Sequence, residues 1–289
     1  MSFDPQNYKI IFFGTPDFSI PTLALLLKNK YQILAIVTQP DKLVGREQKL
    51  LPSPVKKFAQ KNNIPILQPI KIRDNLAFYQ ELKKLKPDLC VVVAFGQIIP
   101  QNILNIPKFG FLNIHGSLLP KLRGASPMQA AILEDLNETG ITLMKMDAGM
   151  DTGAILNQTK INLLPTTNIS WLHDQLKELG ADSLIKALPL YLEKKIIPQP
   201  QIESTATYCS LITKEMGQVD LDNDSAVKIY RKFRAYNPWP GVWANHNNTR
   251  LKLIEIELDK DKQLIIKKVL PAGKTKMTWE EYLRGNLKS

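Results

Sequence analysis

Cysteine is scarce: Cys90 and Cys209 stand far apart in a chain of 289 residues. No metal-type spacing exists, so neither a structural zinc nor a disulfide framework is indicated. Cys90 lies in LCVVVAF, where a free thiol behaves as a small hydrophobe. Glycine follows the apolar run 9–13 only once, at Gly14, and no GxGxxG or Walker pattern comes after it. That excludes a nucleotide-binding fingerprint and leaves a tight turn. No apolar stretch reaches transmembrane length. The start, MSFDPQNY, has no basic region followed by an apolar run. A cytoplasmic protein with no membrane partner is expected. No internal repeat or low-complexity tract is present.

What is present suits a globular chain. The hydrophobic fraction is 44%, too high for disorder. The length allows one large domain and one small one. Net charge is +11. Residues 1–190 hold 21 basic and 15 acidic side chains, and residues 208–289 hold 15 and 10. The smaller segment is the more densely basic, which suits a polyanionic partner such as tRNA and equally suits plain solubility.

Apolar runs at 9–13, 31–38, 64–67 and 89–95 read as buried strands. Helical patterns alternate with them at 18–27, from Ser53-Pro54, and at 75–85. Residues 39–52 break this rhythm with a long irregular loop carrying Lys42, Arg46 and Lys49, and such loops are usually functional or mobile. Further on, 127–134 reads as a helix, and 140–146 and 155–161 as strands. Residues 169–188 read as a helix limited by Pro189, with Trp171, Leu172, Leu176, Leu179 and Leu184 on one buried face. Residues 191–207, with Pro198 and Pro200, read as a stiff linker. A short helix at 225–234 and strands at 251–258 and 264–269 follow, a pattern that fits a small all-β barrel.

The chain is organised around 113–124, NIHGSLLPKLRG. The apolar residues 109–112 finish a strand. Asn113 and His115 fall two apart, so both leave one face at its carboxyl end. In open α/β sheets ligands bind there. Alone, this also describes a loop with a hydrogen-bonded histidine. A second stretch, MDAGMDTG at 146–153, adds Asp147 and Asp151 among turn-forming residues. Together the two stretches supply an amide donor, a titratable imidazole and a carboxylate. That set suits attack on a carbonyl, with an oxyanion to stabilise and a base or water to orient.

These stretches resemble the formyltransferase family that uses 10-formyltetrahydrofolate. FFGTPDFS, LLPSPVK, AFGQIIP and RAYNPWPGVW further resemble the branch acting on methionyl-tRNA, and the likeness runs from about Lys9 to the C-terminus. The resemblance implies an α/β architecture. A Rossmann-like, mostly parallel sheet domain spans 1–190, a linker 191–207, and a C-terminal OB-like, tRNA-binding domain 208–289. It implies Asn113, His115 and Asp151 as catalytic residues, with Asn113 and an imidazole N–H of His115 donating to the formyl oxygen. Folate would lie along a backbone wall of Ser117, Leu118, Leu119 and Pro120, and against the backbone of Phe95, Gly96, Gln97 and Ile98. Lys121 and Arg123 would be available to its carboxylates. Lys42, Arg46 and Lys49 would meet the acceptor end of initiator tRNA, although Glu47 and Gln48 depart from the small and basic residues common there. The formyl donor is a substrate, no metal is required, and a monomer is expected. The rival is a related formyl-folate enzyme that uses a small amine or hydrolyses the donor. A non-catalytic RNA-binding protein lacks a use for the Asn–His–Asp set.

Overall fold

The computed structural model describes residues 3–44, 48–247 and 249–286. The chain divides into two compact units. One comprises 1–124, 139–161 and 173–208; the other comprises 125–138, 162–172 and 209–289.

The first unit opens with β1 (Lys9–Gly14), α1 (Ile20–Lys28) and β2 (Gln32–Val37), then a hairpin of β3 (Lys42–Val44) and β4 (Lys49–Leu51). There follow α2 (Pro54–Lys61), β5 (Ile66–Leu67), α3 (Leu76–Leu85), β6 (Leu89–Val93), α4 (Gln101–Leu104), β7 (Phe111–His115) and β8 (Arg123–Gly124). After α5 (Pro127–Leu133) come β9 (Glu138–Lys145), β10 (Ala154–Asn162), α6 (Ile169–Leu192) and β11 (Tyr208–Cys209). Seven strands form one sheet in the order β10-β9-β7-β6-β1-β2-β5. The five from β7 to β5 run parallel, and β9 runs antiparallel to β7. Both faces are covered, which is why these strands read as continuous apolar runs. One face carries Ile11, Phe13, Cys90, Val92 and Phe111 against Phe78, Leu82 and Ile103. On the other, Gly180 of α6 comes so near β7 that an added Cβ would sit 2.8 Å from Ile114 Cγ2.

Helix starts follow their caps. Ser53 Oγ accepts from Lys56 N with Pro54 in the first turn, and Asn75 Oδ1 accepts from Phe78 N. Three expectations need correction. Residues 39–52 are not wholly irregular, because β3 and β4 pair there. The hairpin's base is held by Asp41, which accepts from Lys56 at 2.8 Å and from Gln68 at 2.9 Å. Those bonds keep its carboxyl below the usual carboxylate range. Helix α6 does not stop at Pro189 but runs to Leu192. Burial of Tyr191 and Leu192, with Tyr191 Oη donating to the Phe109 carbonyl at 2.6 Å, outweighs the one N–H that proline lacks. Trp171 is 41% exposed and does not join the buried face of Leu172, Leu176 and Leu184.

The second unit holds α7 (Ala226–Tyr236), with Ser225 as its N-cap, and a four-stranded antiparallel sheet. Its strands are β12 (Val242–His246), β13 (Thr249–Leu258), β14 (Leu264–Pro271) and β15 (Met277–Thr278), followed by α8 (Trp279–Asn286). Helix α7 packs on β13 and on α5, which belongs to this unit with residues 125–138. Arg231 and Arg234 of α7 pair with Asp135, and Arg234 also donates to the Thr167 carbonyl.

Candidate active site

Strand period two turns Asn113 and His115 to the same face of β7 as Phe111. Strand β6 accompanies β7 only as far as the Val92–Asn113 pair, whereas β9 continues to Thr142 opposite His115. The face therefore opens where Asn113 and His115 stand. Asn113 is half-buried, and its side-chain amide makes no hydrogen bond among the described residues. His115 is 6% exposed. Its Nε2 lies 3.0 Å from the Leu122 carbonyl oxygen. A carbonyl only accepts, so the network assigns a proton to Nε2. Nδ1 faces Asp151 Oδ2 at 3.6 Å. The ring is thus oriented with Nε2 on Leu122 and Nδ1 toward Asp151, an orientation the sequence did not reveal.

Asp151 lies in the loop between β9 and β10 with φ of +55°, in the left-handed region. Its Oδ2 also accepts from Gly124 N at 2.8 Å. The neighbouring Asp147 has a different task. Its Oδ1 accepts from Gly149 N at 3.0 Å and from Thr152 Oγ1 at 2.6 Å, closing the loop on itself. Beside Asp151 lies a pocket of about 170 Å³ walled by Ile98, Ile99, Met144 and Met146. Gln97 and residues 147–151 complete its rim.

Of the residues proposed for folate, Gln97 and Ile98 line this pocket together with Asp151. Ile98 is 63% exposed. Gln97 also accepts from Ile72 N, which fixes its side chain against the preceding loop. Phe95 is 2% exposed and packs edge-on against Phe13, so its ring belongs to the core. Its carbonyl accepts from Thr15 Oγ1 and Gln39 Nε2, and the Gly96 carbonyl also accepts from Gln39. Ser117–Pro120 fold inward and do not line the pocket. Ser117 Oγ donates to the Lys121 carbonyl, Leu119 N donates to Thr142 Oγ1, and Gln158 donates to the Leu119 carbonyl. Leu118 and Pro120 are half-buried. Lys121 is exposed. Arg123 is not available to a ligand carboxylate, because its side chain is wholly buried and bidentate to Glu203. Lys42 and Lys49 are exposed on the hairpin strands. Arg46 lies outside the described residues. Among the described residues no group of His, Cys, Asp and Glu side chains is arranged to hold a metal ion.

The pattern of the family described as Formyl transferase matches residues 8–188. The chain belongs to this family. The pattern of the formyl transferase C-terminal domain matches residues 211–264. The chain is 44% identical to the methionyl-tRNA formyltransferase of Geobacter sulfurreducens over 86% of its own length and 78% of that protein. It is 38% identical to the methionyl-tRNA formyltransferase of Clostridioides difficile over 96% and 97% of the two chains. Its fold resembles HypX from Aquifex aeolicus, solved in complex with tetrahydrofolic acid. That match has a TM-score of 0.68 at 15% identity, over 98% of this chain and 48% of that one.

This member of the formyl transferase family places further residues around Asp151 that sequence reasoning missed. Gln201 donates to the carbonyls of Asp151 and Gly153, and Arg123 joins Gln201 to Glu203. The partners stand far apart in sequence, and polar side chains carry no periodicity that would pair them. Gly153 is a second missed feature. A Cβ there would meet the Lys145 carbonyl oxygen at 2.1 Å. Gly153→Ala is therefore expected to cost about 1–3 kcal/mol through overpacking. Displacing Asp151 should also lower kcat by up to about a hundredfold. A melting curve and kcat measured on one preparation check both. A parental kcat would mean that the methyl fits without moving the carboxylate.

Proposed function

We infer that the chain transfers the formyl group of 10-formyltetrahydrofolate to the amino group of methionine on initiator methionyl-tRNA, giving N-formylmethionyl-tRNA for translation initiation. The observation that carries this is the likeness to a methionyl-tRNA formyltransferase along 96% of the chain. The grouping of His115 and Asp151 beside the open amide of Asn113 supports the chemistry.

In the reaction the methionine nitrogen attacks the formyl carbon. A new C–N bond forms and negative charge develops on the formyl oxygen. Asn113 donates from its side-chain amide. His115, held with Nδ1 toward Asp151, stabilises the same developing charge. Collapse of the intermediate breaks the bond to the folate nitrogen, and the proton released by the attacking amine goes to that nitrogen. The activated formyl group comes with the donor, so the protein supplies orientation and electrostatics. The apolar walls beside Asp151 suit a flat ring, and backbone at 147–151 offers it polar edges.

The rival enzyme would use a small amine or hydrolyse the donor. It would share the three site residues without a use for the 39–52 hairpin or the basic C-terminal unit. Formylation of charged initiator tRNA, run beside a small amine, decides between them. Product from the amine alone, or hydrolysis alone, would remove the tRNA reading. Action on tRNA is consistent with a cytoplasmic enzyme. Among the described residues no helix is long and apolar enough to cross a membrane. A monomer is the state to check by sedimentation.

Arg46 offers a separate test. With Lys42 and Lys49 on the flanking strands, it would meet phosphate or base edges at the acceptor end. Arg46→Ala should weaken transfer to tRNA and spare slow, tRNA-independent hydrolysis of the donor. Loss of one phosphate contact should make the log–log salt slope of tRNA binding shallower by about one unit. If both activities fall together, Arg46 supports the enzyme rather than the tRNA contact.

A further inference from the structure

One segment of the first unit reaches Asp151 directly and His115 through Leu122. On the aspartate side, Gln201 Nε2 donates to the carbonyl oxygens of Asp151 at 2.7 Å and Gly153 at 2.8 Å. Gln199 exchanges two backbone bonds of 2.8 Å with Ile155, holding the strand that leaves the loop. On the histidine side, Thr207 Oγ1 accepts from Leu122 N at 2.9 Å, and the Thr207 carbonyl accepts from Arg123 N at 2.8 Å. Leu122 is the residue whose carbonyl takes His115 Nε2.

Arg123 ties the two sides together. Its guanidinium donates to Gln201 Oε1 from Nε at 3.1 Å and from Nη2 at 3.0 Å. It is bidentate to Glu203 at 3.0 and 2.9 Å and donates to Tyr208 Oη at 3.0 Å. Hydrogen bonds from Arg123 hold the Glu203 carboxyl below the usual range, so the pair stays charged at neutral pH. A wholly buried guanidinium with so many fixed acceptors has one orientation, and it passes that orientation to Gln201.

The held object needs holding. Asp151 occupies the left-handed region, which costs energy for a residue with a Cβ and persists only where its surroundings over-determine it. We propose that Gln201 is a positioning residue for formyl transfer: it fixes the backbone of Asp151 and, through Arg123, registers that backbone against Leu122, so that segment 201–208 sets the His115–Asp151 spacing. A primary amide does both tasks at once. Its oxygen accepts from the guanidinium while its nitrogen donates to two carbonyls. A carboxylate keeps the first task and fails the second, because it turns an acceptor toward two acceptors.

The test follows from that asymmetry and rests on the formyl-transfer reading above. Gln201→Glu keeps volume and the Arg123 bonds but repels the carbonyls of Asp151 and Gly153. Formylation of methionyl-tRNA is measured for the parent, Gln201→Glu, Asp151→Asn and the double variant, each with a melting curve. Gln201→Glu should lower kcat by about tenfold to a hundredfold, with KM for both substrates within about threefold of the parent. In the Asp151→Asn background the same change should cost less than about threefold, because the group being positioned has lost its charge. A merely structural role would produce the same loss in both backgrounds, and that result overturns the proposal. Parental kcat in Gln201→Glu overturns it as well. If the carboxylate leaves the chain unfolded at the assay temperature, Gln201→Met, equal in length and uncharged, replaces it under the same criteria. A parent that does not formylate methionyl-tRNA overturns the activity itself. A parent that does, with the variant unchanged, overturns only the role of Gln201.

Discussion

Asn113→Ala and His115→Ala should each lower kcat for formyl transfer by about a hundredfold to a thousandfold, the usual cost of removing one donor to a developing oxyanion. The two variants differ in what else they disturb. The Asn113 amide makes no hydrogen bond among the described residues, so its loss leaves no protein group unpaired. Its melting temperature should stay near that of the parent. His115 is buried and donates to the Leu122 carbonyl. Removing it takes away that bond and empties the space of a buried ring, at a cost of about 1–3 kcal/mol. The His115→Ala variant should therefore melt lower as well as react more slowly. Single-turnover kinetics below both melting temperatures, with donor and methionyl-tRNA saturating, isolate the chemical step. Near-parental rates in folded Asn113→Ala would take the amide out of the chemistry. A parental melting temperature for His115→Ala would mean that the Leu122 carbonyl finds another donor.

Much of the sheet was legible because its signal is local. Residues 10–13 and 89–93 are uninterrupted apolar stretches, as two covered faces require, and β7 adds Phe111, Leu112 and Ile114. Period two alone put Asn113 and His115 on one face, and β7 has that geometry. The cap read at Ser53 sits three residues from the amide it satisfies. In the C-terminal unit the alternation of β13 was read as far as Leu258. Its register slips between Leu253 and Ile256, so Leu251, Leu253 and Ile256 are the buried side chains. A bulge of that kind has no signature in a single sequence.

What stayed hidden depends on distant partners. Arg123, read as available to a ligand, is buried because Gln201, Glu203 and Tyr208 come to it from 78 to 85 residues away. Trp171 matched a helical face by spacing, yet spacing does not say what stands opposite it. Phe95 follows a strand, and only its distant neighbour Phe13 shows that its ring sits in the core. The inward fold of Ser117–Leu119 depends on Thr142 and Gln158, which reach it from β9 and β10. Each of these is a tertiary choice between two locally acceptable outcomes.

Asp151→Asn isolates charge from geometry, and the expected loss in kcat is as large as that of His115→Ala, about a hundredfold or more. The amide oxygen of asparagine can still accept from Gly124 N, the bond that Asp151 Oδ2 makes at 2.8 Å. The backbone stays clasped by Gln201 through a carbonyl the substitution does not touch. What disappears is the negative charge 3.6 Å from His115 Nδ1. The ring then loses the carboxylate that faces Nδ1, while Nε2 remains committed to Leu122. If Asp151 works through His115, the double variant should lose less than about threefold beyond either single one, because residues that act as a unit are non-additive. The measurement is kcat for the parent, both single variants and the double, with melting curves to confirm that all four are folded. Losses that multiply in full would assign Asp151 a task of its own, such as holding a water that carries the proton to the folate nitrogen.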